Sequence, residues 1–328
     1  MQLSYQQFDL PLRHVFTISR GSRAVQSTLI VQLAADGEFG YGEATTNSYY
    51  GATIENLSVA LESVRALVEH DPLDDPLALV ASLHSALVGR KFALAALDEA
   101  IHDLWGKLRR APVYRLWGLS TDNLPLSNYT IGIDSLENMA AKLGEMPGWP
   151  VYKIKLGTTD DLEIVRELRR HTAAPFRVDA NGGWTAAQTI ALAPALRELG
   201  VEFIEQPLPP GDEAETRRAF EQSALPLIAD ESCVTEDDVD RCPGMFHGIN
   251  IKLVKCGGLA PARRMIDRAR ALGLVVMAGC MTESTVGISA LAQLLPLLDY
   301  VDMDGAVLLA RDVATGVQLI DGPLPLAV

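Results

Sequence analysis

Basic residues are scarce in this chain, and so are the common signatures of metal and nucleotide binding. Twenty-eight Lys and Arg stand against 42 Asp and Glu, a formal net charge of −14. Such an excess repels phosphate backbones and anionic lipid surfaces, so no nucleic acid and no membrane is expected among the partners. No stretch approaches the ~20 consecutive apolar residues that span a bilayer. The longest uncharged apolar run toward the C-terminal end, Ala271 to Met281, reads as a buried strand. The opening MQLSYQQFDLPLRH lacks the basic-then-apolar layout of a secretory leader. Cysteines at 233, 242, 256 and 280 form no C-x-x-C pair. They read as neither a disulfide framework nor a zinc site, and a reducing cytoplasm is the expected location. The six histidines include no H-x-x-x-H, nothing matches a P-loop, and the glycines of GEFGYGEA from Gly37 are wrongly placed for a dinucleotide fingerprint.

What is present is a globular composition, 48% hydrophobic and 21% charged over 328 residues, enough for two domains with a sizeable core. The first part reads as α+β. LSYQQFDLPL and STLIVQLAADGEFGYGEA have strand patterning, the second as a hairpin turning at Asp36-Gly37. Helices are predicted from about Thr53 to His70 and from about Lys91 to Arg109, the latter with small residues (Ala93, Ala95, Ala96, Ala100) that suit close packing against another element. From about Leu124 short apolar runs alternate with amphipathic helices: LSNYTIGI, VYKIKL, FRVDA, VEFIEQ, PLIADE, GINIKL, LVVMAG and DYVDMD. Eight strands at a nearly constant repeat predict a closed parallel barrel.

Polar residues recur at the ends of those strands. Lys155 to Asp179 is 24 positions, Asp179 to Glu205 is 26, Glu205 to Asp230 is 25, Asp230 to Lys252 is 22, and Lys252 to Asp302 is 50, or two units. The C-terminal ends of barrel strands are where active sites are built. Strands four apart face each other, so the second and sixth set lysines on opposite sides of the mouth, and the fourth and eighth oppose Glu205 to Asp302 and Asp304. Three carboxylates on neighbouring strands, Asp179, Glu205 and Asp230, repel unless a cation lies between them, and oxygen-only ligands select a hard ion, Mg²⁺. A lysine beside a dication is disfavoured in its charged form, with Lys153 adding to the effect on Lys155, and so becomes a base near neutral pH. Two opposed bases suit removal of a proton from one face of a carbon and its delivery to the other, next to a carboxylate whose enediolate the metal stabilises.

The motifs KIK (Lys153–Lys155), VDANGGW (Val178–Trp184), EQPLP (Glu205–Pro209), ADES (Ala229–Ser232), NIKLVKCGG (Asn250–Gly258), GCMTES (Gly279–Ser284), DMDG (Asp302–Gly305), FTISRGSR (Phe16–Arg23) and GYGEA (Gly40–Ala44) are similar to those of the enolase superfamily in its muconate-lactonizing subgroup. Over nearly the whole length the chain resembles the dipeptide epimerases of that subgroup, the L-Ala-D/L-Glu type. The resemblance implies a modified TIM-type (β/α)7β barrel spanning residues 121–307. It also implies an α+β capping domain of residues 1–120, completed by about 308–328. It implies one Mg²⁺ per subunit on Asp179, Glu205 and Asp230. Lys155 and Lys252 would be the acid/base pair, one for each configuration at the α-carbon of a dipeptide's C-terminal residue. Lys153 would hold the substrate carboxylate and tune Lys155. Asp302 and Asp304 would bind the free ammonium, and both fall on one strand face. Arg20 or Arg23 of the capping loop would pair with an acidic side chain of the substrate. Tyr49 and Tyr50 are candidates for the pocket wall.

Asn181 and Glu231 are expected to orient the metal ligands, Glu43 to support domain packing, and Cys256 and Cys280 to pack. A small-molecule dipeptide is the expected partner, and a homo-oligomer is compatible with the chain. The alternative enzyme reading is another reaction of the subgroup: N-acylamino-acid racemisation, o-succinylbenzoate synthesis or cycloisomerisation. These substrates offer no ammonium to the aspartate pair. A catalytically silent binding module is the reading from outside enzymology.

Overall fold

Alternating side chains and the β-branched run STLIV drive the first segment into an extended ribbon. The structure is a computed structural model and describes residues 1–319. β1 (Gln2–Ile18), β2 (Gly21–Ala35) and β3 (Glu38–Thr45) form an antiparallel sheet in the order β1-β2-β3. The β2–β3 turn falls at Asp36-Gly37, both at positive φ (50° and 84°), which suits the twist of a two-residue hairpin. β1 runs past the predicted Leu12 to Ile18, so FTISRGSR is the tip of a hairpin. Its register slips between Pro11 and Phe16. There Leu12 bridges Leu309, Arg13 N donates to Leu308 O, and Ala310 N donates to Pro11 O. The remainder of the expected completion of the cap, 320–328, lies outside the described residues.

Four helices follow: α1 (Ile54–His70), α2 (Pro76–Ala86), α3 (Lys91–Leu108) and α4 (Val113–Leu116). α2 is missing from the sequence prediction, although Asp75 caps it through Leu77 N and Pro76 opens it. α3 lies directly on β3. A Cβ at Gly40 would fall 2.2 Å from Ala100 O, and one at Gly42 2.0 Å from Ala96 O. The GYGEA glycines and the small face of α3 are therefore two sides of one close contact.

The rest is the expected (β/α)7β barrel: β4 (Tyr129–Ile131), α5 (Leu136–Glu145), β5 (Tyr152–Lys155), α6 (Asp161–Arg169), β6 (Phe176–Asp179), α7 (Ala186–Glu198), β7 (Val201–Glu205), α8 (Glu213–Gln222), β8 (Leu227–Ala229), α9 (Glu236–Val239), β9 (Gly248–Ile251), α10 (Leu253–Cys256), α11 (Leu259–Ala271), β10 (Val275–Gly279), α12 (Thr285–Ala292) and β11 (Tyr300–Asp302). β4 to β11 are parallel neighbours in sequence order, and a Ser127–Val301 bridge joins the last strand to the first. The apolar run Ala271–Met281 is divided: Ala271 ends α11, and β10 begins at Val275 after a turn at Gly273. No described helix is long and apolar enough to cross a membrane.

Two buried carboxylates of the cap dock it on the barrel. Asp98 of α3 accepts from Leu259 N (2.7 Å) and Ala260 N (3.1 Å), the first turn of α11. Glu43 of β3 accepts from Ser284 N and Gly287 N, both at 3.1 Å, at the start of α12. Each answers backbone N–H groups that a helix cannot satisfy itself. The role expected for Glu43 thus takes a specific form. At Gly258 (φ +113°) a Cβ would lie 2.4 Å from Asp98 Cβ, so the second glycine of NIKLVKCGG serves this contact.

The β3–α3 contact leaves no room for a methyl group. Gly42→Ala is expected to lower stability by about 1–3 kcal/mol through overpacking. The check is a lower denaturant midpoint at unchanged slope.

Candidate active site

Parallel register sets the polar strand ends at one level. Lys155 pairs with Asp179 across β5–β6, and Asp179 with Glu205 across β6–β7. Asp230 directly follows β8 and Lys252 directly follows β9. Around the mouth the order is therefore Lys155, Asp179, Glu205, Asp230, Lys252, with a lysine on each flank of the carboxylate triad. Asp179 and Glu205 are 0% exposed and Asp230 2%. One oxygen from each lies within 4.8 Å of the others, and the three form a buried acidic group able to hold a metal ion.

The donor set fits a hard cation. All three groups are carboxylates, and nearby buried acceptors lack hydrogen-bond partners: Asn181 Oδ1 and Glu231 Oε2. In the structure ammonium groups supply the countercharge. Lys155 Nζ donates to Asp179 Oδ2 (2.6 Å) and Lys252 Nζ to Asp230 Oδ2 (2.8 Å). Burial opposes ionisation of Asp179, but Lys155 and Lys153 hold its pKa below the usual range. Burial likewise opposes ionisation of Asp230, and Lys252 and Lys255 hold it low. Glu205 is different: burial, then Asp179, push it up to about 7.

Lys153 takes a place the sequence does not suggest. Its Nζ lies 2.7 Å from Glu205 Oε2, 2.7 Å from Asp302 Oδ2 and 3.3 Å from Asp179 Oδ2, so it spans the barrel between β7 and β11. It is fully buried and is not among the pocket-lining side chains. Burial would depress its charge, yet Asp302, Glu205 and Asp179 outweigh that and raise its pKa. Lys252 is also raised: burial opposes, and Asp230 and Glu205 prevail. Carboxylates surround both ammonium groups, and with no cation among them these charges favour the protonated lysines.

Asp302 and Asp304 both line the pocket. Asp302 also accepts from Asn128 Nδ2 (2.8 Å), and Asp304 accepts from Thr130 N and Thr130 Oγ1. Burial opposes ionisation of Asp302 but Lys153 keeps its pKa low, whereas burial and then Asp302 raise that of Asp304 well above the ordinary value.

The β1–β2 hairpin tip closes one side of the pocket with Phe16, Ile18, Arg20 and Arg23. The two arginines differ. Arg20 ion-pairs with Glu231 Oε1 at 2.6 Å, donates to Asn181 O at 3.0 Å and stacks on Tyr49. Arg23 hydrogen-bonds Gln26 and has no carboxylate partner among the described residues. Burial, and then Arg20, lower its pKa. Tyr50 lines the pocket, while Tyr49 is 51% exposed beneath Arg20. Asn181 N donates to Asp179 Oδ1 and Asn181 Nδ2 to Glu231 Oε1. Cys280 lies in the pocket wall and Cys256 in the interior. Burial pushes Cys256 up to about 12 and Cys280 well above the ordinary thiol value, so neither is an activated nucleophile.

Several site residues escape the sequence reading. Asn250 Nδ2 donates to Glu205 Oε1 (2.8 Å), and Gln206 Oε1 accepts from Asp230 N and Ser232 N (both 2.9 Å). Asn250 stands two residues before Lys252, so strand alternation alone places it on the inward face.

The Enolase C-terminal domain-like family model matches residues 135–322. The model of the mandelate racemase / muconate lactonizing enzyme N-terminal domain matches residues 5–118. An L-Ala-D/L-amino acid epimerase of Maribacter sp. is 54% identical over 322 residues, covering 97% of this chain and 94% of that protein. An L-Ala-D/L-Glu epimerase of Bacteroides thetaiotaomicron is 40% identical over 330 residues, covering 99% and 85%. The crystal structure of a dipeptide epimerase from Methylococcus capsulatus, complexed with Mg and the dipeptide L-Arg-D-Lys, has a TM-score of 0.87 at 36% identity, covering 98% of this chain and 96% of that one.

A cation held by the triad would require Glu205 ionised. With its pKa raised to about 7, affinity for any divalent cation there is expected to fall about tenfold per pH unit below 7 and to level off above 8. Titration calorimetry at pH 6 in buffers of different ionisation enthalpy should show about one proton released per ion. The sign reverses for the metal-free fold, where this raised carboxyl favours stability below its unfolded pKa and the contribution is lost as pH rises through 7.

Proposed function

The chain belongs to the mandelate racemase / muconate lactonizing enzyme family of the enolase superfamily, and from that premise we infer that it is a dipeptide epimerase working by two-lysine proton transfer. The observation that carries the reading is the bracketing of one buried carboxylate triad by two pocket-lining ammonium groups, Lys155 on β5 and Lys252 after β9. A single base would serve an elimination. Two bases entering from opposite walls serve inversion at one carbon.

Asp179, Glu205 and Asp230 would hold Mg²⁺, which would draw off the negative charge that builds on the substrate carboxylate as the α-proton leaves. The chain's own groups do the rest. Lys155 and Lys252, each freed from its carboxylate, would remove the α-proton of the C-terminal residue on one face and return one on the other. Asp302 and Asp304 would receive the ammonium of the N-terminal residue and so fix which carbon lies between the lysines. Asn128 and Thr130 hold those aspartates in place. Arg23 would set the preference at the second residue: it is a half-buried guanidinium lining the pocket with no counter-ion among the described residues, so it favours an anionic side chain such as glutamate. Arg20 would brace the hairpin tip through Glu231.

The enzyme with Mg²⁺ in D₂O is expected to exchange the α-proton of the second residue of L-Ala-L-Glu and to yield the L,D epimer, both read by mass spectrometry and chiral chromatography. Lys155→Ala and Lys252→Ala should each abolish epimerisation, by at least 10²-fold. One variant should keep exchange only with the L,L substrate and the other only with the L,D. Absence of exchange across a broad L,L library ends this reading. Unchanged kinetics in Asp302→Asn and Asp304→Asn would instead favour a substrate without an ammonium.

For specificity, Arg23→Met should lower kcat/KM for L-Ala-L-Glu at least tenfold while sparing L-Ala-L-Leu. An equal loss on both would assign Arg23 to the fold of the hairpin.

A further inference from the structure

Lys255 is the lysine that the acid/base reading leaves without a role. It is 1% exposed, and its ammonium is surrounded by oxygen: Asp230 Oδ1 at 2.5 Å, Asp230 O at 2.6 Å, Cys233 O at 3.2 Å and Asn250 O at 3.3 Å. It does not line the pocket. A buried ammonium is costly unless fully paired, so such a group in the core calls for a reason beyond packing.

The reason lies in how the turn after β9 is built. Lys252 is the N-cap of α10 and Lys255 follows it by three residues on the same helical turn. The two ammonium groups therefore reach the same carboxylate from two sides. Lys252 takes Asp230 Oδ2 at 2.8 Å and Lys255 takes Oδ1 at 2.5 Å. One contact is at the pocket and the other is sealed in the interior.

We propose that Lys255 is a positioning residue that occupies Asp230 Oδ1, leaving Oδ2 as the single oxygen Asp230 offers to a cation. Lys252 is then released toward the substrate when Oδ2 is taken up by that cation. Cation binding and the freeing of one catalytic lysine become the same event, and Lys255 keeps the carboxylate from rotating out of it. Without Lys255, Asp230 can turn, hold Lys252 through either oxygen and compete with the metal site. This inference rests on the assignment of Asp230 as a metal ligand and of Lys252 as an acid/base group.

The test is Lys255→Met in the full chain. Titration calorimetry should show the Mg²⁺ dissociation constant raised at least tenfold. Dipeptide exchange should fall at low Mg²⁺ and recover toward the parent kcat at saturating Mg²⁺, since Lys155 and Lys252 are intact. Lys252→Met should keep or tighten Mg²⁺ binding, because it removes the competing ammonium from Oδ2. A folded Lys255→Met protein with parental Mg²⁺ affinity overturns the proposal. So does a loss of kcat that Mg²⁺ does not restore.

Should Lys255→Met fail to fold, a crystal structure of the parent protein grown with Mg²⁺ decides. Oδ1 still on Lys255 with only Oδ2 on the ion supports the proposal, and bidentate or Oδ1 ligation overturns it. Parent protein that shows the Mg²⁺ affinity shift on substitution but no dipeptide exchange supports the positioning role while ending the epimerase reading.

Discussion

Negative charge held where water cannot screen it is the constraint around which this barrel is arranged. Asp179, Glu205 and Asp230 offer oxygens within 4.8 Å of one another and are all but inaccessible. At an effective dielectric of 20, two unit charges ~5 Å apart repel by roughly 3 kcal/mol. A triad in that state needs cations on every side. Four lysines provide them, each from a defined direction: Lys155 and Lys252 at the flanks, Lys153 across the barrel axis and Lys255 from within. Glu205, the middle member, lacks a lysine of its own and shares Lys153 with Asp179 and Asp302. That is why it alone of the three is pushed upward in pKa.

Lys153 ties the two halves of the site together. The chain of contacts runs from Arg177, which donates to Asn128 Oδ1 and Val301 O, through Asn128 to Asp302, and then through Lys153 to Glu205. This line crosses the β4–β11 seam where the barrel closes. The prospective ammonium site and the prospective metal site therefore share one buried counter-ion, and the barrel interior is as polar at this level as it is apolar around it. A fully satisfied network of this kind fixes geometry, because displacing one member leaves another unpaired in a low dielectric.

Much of this was legible in the sequence, for a physical reason. Parallel strands in a closed barrel repeat at a nearly even spacing and end at one level, so a charge recurring every 22 to 26 residues already locates the mouth. The triad and the flanking lysines follow from that spacing. What was not legible depends on three-dimensional partners. Lys153 alternates with Lys155 and reads as a second pocket lysine, and its reach across to Asp302 is visible only in three dimensions. Lys255 sits on a one-turn helix too short to leave a periodic pattern. Arg20 and Arg23 are indistinguishable as letters; the structure separates them by giving Glu231 to the first and, among the described residues, no carboxylate to the second. α2 was overlooked because its apolar run PLALVASL has little contrast between faces, even though its cap was in view.

The division of labour between cap and barrel follows from how each is held. Asp179, Glu205, Asp230 and Asp302 each have at least two polar partners in the interior, so replacing one disturbs its neighbours. Among the described residues Arg23 hydrogen-bonds only Gln26, on a hairpin tip whose backbone is held by β1–β2 pairing. A side chain there can change in charge or size with little consequence for the fold. Relatives at 54% and 40% identity over nearly this whole chain, and a structural relative holding L-Arg-D-Lys, differ in the second residue they are named or crystallised for. That pattern is what a rigid proton-transfer core under weakly tethered hairpin tips would produce. The buried carboxylates and lysines hold one another in place through several contacts each, whereas Arg23 faces the pocket with a single described tether.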